Sequence, residues 1–81
     1  MRILFSRHAR EMLAERNISE DLVREAILKP DRKEEKEGDV CHFIRKVGER
    51  FLRLVVRGRT EPYTVLTVFY DRRLRRKGGQ P

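Results

Sequence analysis

The sequence predicts a small α+β domain: two N-terminal helices packed on one face of a three- to four-stranded antiparallel sheet. Three observations predict it. Apolar residues recur at helical spacing only within the first 30 positions. Two strand-like runs, Val40–Val47 and Arg50–Arg57, meet at Gly48-Glu49, and a third, Tyr63–Tyr70, follows the turn-rich Gly58-Arg59-Thr60-Glu61-Pro62. Helices followed by strands is the order of an α+β fold, and 81 residues suffice for one such domain, over 1–71, with a flexible basic tail over 72–81.

Ser6 is suited to cap a helix running to about Arg16, with Ala9, Met12 and Leu13 on one face. Asn17 tolerates the left-handed conformation that ends a helix. Ser19 caps the second helix, where Glu20 and Asp21 meet the positive end of the helix dipole. Ile18 before that cap staples onto Val23, while Leu22, Val23, Ala26 and Ile27 form the buried stripe and Pro30 ends it.

Asp31–Asp39 is polar and holds at most a short edge strand around Arg32–Glu37. Gly48-Glu49 suits a two-residue type II′ hairpin, which fixes the register. Arg45 then pairs with Leu52, Phe43 with Leu54 and Cys41 with Val56 on a mainly apolar face. Lys46 pairs with Phe51, Ile44 with Arg53, His42 with Val55 and Val40 with Arg57 on a basic one. Tyr63–Tyr70 is apolar at both parities, as in a strand buried on both sides.

Composition excludes several classes. No apolar run approaches the roughly 20 residues of a membrane span, and the N-terminus turns polar too soon for a signal peptide, so the expected compartment is the cytoplasm. One cysteine, Cys41, excludes an internal disulfide, and two histidines leave a structural zinc site short of ligands. No metal or cofactor motif is present. The net charge of +7 is unevenly held: +1 over 1–30, −2 over 31–39, +4 over 40–70 and +4 over 71–81. A polyanion or an acidic protein is the partner such an excess favours.

The stretch from Phe5 to Leu22, with Ser6, His8-Ala9, Glu15-Arg16 and Ile18-Ser19, followed by Lys29-Pro30 and closed by Thr67-Val68-Phe69, resembles the domain-of-unknown-function family 4258 over nearly the whole of Phe5–Tyr70. That family's hallmarks are a His-Ala pair, a Glu-Arg-Gly-Ile-Ser turn and a Thr-Val-aromatic closing strand. Asn17 stands here for the common Gly, and Met12 where an Arg is frequent. The resemblance implies the fold of the RelE, barnase, EndoU and colicin-type ribonuclease toxins, and with it an RNA-binding or RNA-cleaving domain with an acidic antitoxin-like partner.

Metal-free RNA cleavage needs a base for the 2′-OH, an acid for the 5′-oxygen and cations on the phosphate. His42 and Arg53 are diagonal neighbours on the basic face, with Lys46 and Arg57 nearby, so a titrating imidazole and phosphate clamps could converge there. The competing reading is a face that is basic for solubility. His8 and Arg16 lie two turns apart on one side of the first helix: an acid/base with a phosphate contact, or a packed ring with a helix-end donor. Tyr70 can stack on a base or bond a phosphate, or close the core with its hydroxyl at the rim. The expected site is therefore His8, His42 and Arg53 for catalysis and Arg16, Lys46, Arg57 and Tyr70 for RNA. The alternative is a non-catalytic module that binds RNA or an acidic protein through the same face.

Overall fold

The computed structural model describes residues 1–74. A short strand, Ile3–Phe5 (β1), leads into two helices, Arg7–Arg16 (α1) and Glu20–Leu28 (α2). Strands Arg32–Glu35 (β2), Val40–Val47 (β3), Arg50–Arg57 (β4) and Tyr63–Tyr70 (β5) follow, then one 3₁₀ turn at Arg72–Leu74.

Local chemistry sets both helices. Ser6 and Ser19 cap them through side-chain oxygens that accept from the Ala9 and Leu22 N–H groups. Asn17 adopts φ 56°, which a short polar side chain tolerates, and its N–H closes α1 by bonding back into the last turn. Arg45 of β3 donates to the Lys29 carbonyl at 2.7 Å, tying the end of α2 to the sheet.

The sheet has five strands in the order β1-β5-β4-β3-β2. This corrects the expectation of three or four antiparallel strands, because β1 pairs in parallel with β5, Ile3 opposite Tyr63 and Phe5 opposite Val65. The other pairings are antiparallel. The β3–β4 register is the one the two-residue turn dictates, from Val47 opposite Arg50 to Val40 opposite Arg57. Gly48 has φ 65° and Glu49 is not left-handed, as a type II′ turn requires.

The apolar run of β5 has a different cause from burial on both sides. Thr67 lies opposite Val55 and Val65 opposite Val56, so Leu66 is an extra residue in a β-bulge. The bulge inverts the side-chain alternation, and Val65 and Val68, an odd and an even position, both enter the helix-covered core. There they meet Leu52, Leu54 and Val56 of β4, Ala9 and Leu13 of α1, and Val23, Ala26 and Ile27 of α2.

Among the described residues no α-helix covers the opposite sheet face, yet it is not simply a solvated basic surface. Ile44 is 1% exposed, and Leu74 of the 3₁₀ turn closes a shallow hollow with Ile44 and Phe51. Arg72–Leu74 thus form a turn at the start of the expected tail, and the remainder of that tail, 75–81, lies outside the described residues.

Candidate nucleic-acid interface

On the helix-free face, the middle of β4 presents Arg53 to three groups. Its Nε donates to Asp71 Oδ2 at 2.7 Å, and its Nη1 to Glu34 Oε1 at 3.0 Å and to His42 Nδ1 at 2.7 Å. The hairpin register brings His42 and Arg53 together; β2 delivers Glu34, directly opposite His42, and the end of β5 delivers Asp71. The four residues floor an open concavity of about 430 Å³, with Lys36 and Arg73 among its walls.

The electrostatics follow from these contacts. The Arg53 hydrogen bond, helped by Lys36 and Arg32, holds the Glu34 carboxyl at a pKa of about 2. Burial opposes ionisation of Asp71, but hydrogen bonds from Arg53 and Arg73 outweigh it and keep its pKa below the ordinary value. Burial and then the Arg53 charge push His42 below the usual imidazole range. A guanidinium only donates, so His42 Nδ1 must be bare and the neutral ring carries its proton on Nε2. His42 is therefore a neutral donor whose basic nitrogen is already engaged, and Arg53 is a cation already matched by two carboxylates.

Asp71 also walls a second, smaller concavity of about 210 Å³, lined by Arg16, Arg50, Tyr70 and Arg72. The Arg50 guanidinium lies over the Tyr70 ring, 3.8 Å from its centroid. None of Arg16, Arg50 and Arg72 forms an ion pair with another described residue, whereas Arg7, Arg10, Arg45 and Arg59 do. Asp71 cannot neutralise these three arginines fully, because one oxygen accepts from Arg53 and the other from Arg73.

The residues expected from the sequence fall into three groups. His42 and Arg53 meet in the larger concavity, and Arg16 and Tyr70 in the smaller one. His8 Nε2 sits 3.0 Å from Thr67 Oγ1. Thr67, Val55 and His42 stand side by side in one row across three strands, about 10 Å from end to end at ordinary strand spacing. Lys46 and Arg57 are exposed near opposite ends of the hairpin and line neither concavity. Sequence reasoning missed Glu34, Asp71, Arg50 and Arg72. Asp71 carried one available signal: it is the only acid in Asp71–Lys77, where an isolated carboxylate among arginines is a natural partner for a strand arginine.

No helix among the described residues is long and apolar enough to cross a membrane, and no cluster of His, Cys, Asp and Glu there is suited to hold a metal ion. The sequence matches the family described as "Domain of unknown function (DUF4258)" over residues 5–70. Neither the curated proteins nor the solved structures contain a match.

Proposed function

We propose that this chain, which belongs to the DUF4258 family, binds single-stranded RNA along a cationic track running from Arg16, Arg50 and Arg72 past Asp71 to Arg73 and Lys36. The observation that carries the reading is the gathering of three arginines, without ion-pair partners among the described residues, in one hollow with Tyr70, over whose ring Arg50 lies. Guanidinium forks match phosphate oxygens two at a time, and Arg50 stacked on Tyr70 presents a planar cation beside the other two. The kinship with RelE- and barnase-type folds is part of the same proposal, supported by the order of two helices before an antiparallel run of strands.

A second reading, metal-independent cleavage by a toxin-like domain with an acidic antitoxin-like partner, is favoured by the His42–Arg53 contact in an open concavity beside Lys36 and Arg73. The 2′-OH would attack the adjacent phosphorus, displacing the 5′-oxygen and leaving a 2′,3′-cyclic phosphate and a 5′-hydroxyl. His42 could protonate the departing oxygen from Nε2, but its Nδ1 is engaged and it cannot also be the base. His8, touching Thr67 at the far end of the row, is too distant to share one phosphodiester with it. Binding is therefore the reading the geometry supports better.

The test is fluorescence anisotropy of a labelled oligouridylate with the wild type and an Arg16→Ala/Arg50→Ala/Arg72→Ala variant, with gel analysis of the same RNA in EDTA. Wild-type binding at low salt that the variant loses supports the track. Absence of wild-type binding at low salt overturns it, and cyclic-phosphate products that disappear in His42→Gln establish the second reading instead.

A further inference from the structure

We infer that the smaller concavity is a subsite for a terminal phosphomonoester, so that the domain prefers RNA ends bearing a phosphate over internal positions or hydroxyl ends. The inference rests on the RNA-binding reading and specifies which part of the RNA this site takes.

The first argument is charge. A phosphodiester carries one negative charge, but a phosphomonoester carries about −1.5 to −2 at neutral pH and presents three strong acceptor oxygens. Arg16, Arg50 and Arg72 all line one hollow whose single carboxylate, Asp71, is already bonded to Arg53 and Arg73. Three donors of that kind exceed what one diester needs and suit a dianion.

The second argument is size and shape. At about 210 Å³ the hollow is smaller than the roughly 300–1,000 Å³ of sites that enclose a whole small molecule. It suits a phosphate group with part of its sugar.

The third argument is preorganisation. The Arg50 guanidinium is stacked on Tyr70, which itself packs against the core, so the fork is held before any ligand arrives. The backbone that carries Arg72 is set by its neighbour Asp71, whose N–H bonds the Phe51 carbonyl and whose side chain bonds Arg53 and the Arg73 N–H. An anion there meets one stacked guanidinium, with the exposed Arg16 and Arg72 free to close on it, while the larger concavity across Asp71 is left for the rest of the strand.

The experiment compares one oligouridylate with a 5′-phosphate, a 3′-phosphate or hydroxyls at both ends, and uridine 5′-monophosphate alone, at about pH 7.5 and about pH 5.5. One phosphate-bearing end is expected to bind about tenfold tighter than the hydroxyl RNA at the higher pH, as one additional charge-assisted contact implies. The advantage shrinks at the lower pH, below the phosphate's second pKa of about 6. Arg50→Lys, which keeps the charge and loses the fork, narrows the advantage while leaving the circular dichroism spectrum intact. Equal affinity for all three RNAs, with no measurable nucleotide binding, overturns the phosphomonoester site and leaves the RNA track standing. Nucleotide binding without binding of any RNA supports the site and overturns the track. An end preference that survives the triple arginine variant also overturns the assignment.

Discussion

Arg53 Nε donates to Asp71 Oδ2 across 2.7 Å, joining the middle of β4 to the residue that follows β5, and both side chains are buried. The Asp71 N–H donates to the Phe51 carbonyl, so the pair pins the end of β5 and the 3₁₀ turn together. Breaking a buried pair from one side strands the other charge. Asp71→Ala is expected to cost about 3 kcal/mol, less than a full loss of partners because Glu34 still holds Arg53. The check is the urea midpoint at unchanged m-value, and a shift below about 0.5 kcal/mol would be the range of an ordinary surface site and contradict the prediction.

Acid should destabilise the fold in two stages. Glu34, Asp71 and His42 all have folded-state pKa values below their ordinary ones, so the unfolded chain binds more protons at each. The His42 contribution is complete above its unfolded value near 6.5 and falls as pH drops below it. The carboxylate contributions are complete above about 4.5 and fall toward pH 2, where Glu34 titrates in the fold. Urea midpoints should therefore decline from pH 7 to pH 3, with His42→Gln flattening the upper stage and Glu34→Gln the lower. A flat profile would rule this out.

The caps of α1 offer a sharper contrast. Ser6 accepts from the Ala9 N–H and donates to the Leu66 carbonyl at 2.9 Å, so Ser6→Ala should cost about 1–2 kcal/mol. Asn17→Gly should be neutral or mildly stabilising at φ 56°, and Asn17→Ala should cost about 1 kcal/mol. Thermal melts of the three variants decide it, and equal effects of Gly and Ala at position 17 would show that the left-handed backbone is not the determinant.

RNA binding should weaken with salt. Each phosphate neutralised on a single strand contributes about 0.7 to the log–log slope, so a strand with one phosphate in the smaller concavity and one each at Arg73 and Lys36 predicts about −2 between about 50 and about 200 mM salt. Lys36→Ala should lower the slope by about 0.7. Arg59→Ala should leave it unchanged, because Arg59 lies beyond the far end of β4 and is tied to Glu35 and the Gly38 carbonyl.

Where the determinants are local, the sequence sufficed. Ser6, Asn17 and Ser19 bounded the helices, and Gly48-Glu49 set a register that placed His42 beside Arg53. The rest depended on distant partners. β1 is three residues long and becomes a strand only by pairing with Tyr63–Val65. The Leu66 bulge sits in a run that is apolar at both parities with no Gly or Pro to mark it, so the alternation of β5 is not legible there. Glu34 and Asp71 reach Arg53 from strands whose registers no two-residue turn fixes, and Arg16 meets Tyr70 only because α1 packs on β5.

The parallel pairing of β1 with β5 also governs when the chain can fold. Its partners lie about sixty positions apart: Ser6 bonds Leu66, and His8 bonds Thr67. While the ribosome is still adding β5, β1 has no strand to pair with, and the core under the helices lacks Val65 and Val68. Such long-range closure slows folding and leaves an apolar surface open in the meantime. A chain arrested after Arg57 should therefore be readily cut by protease, whereas one extended past Leu74 should resist.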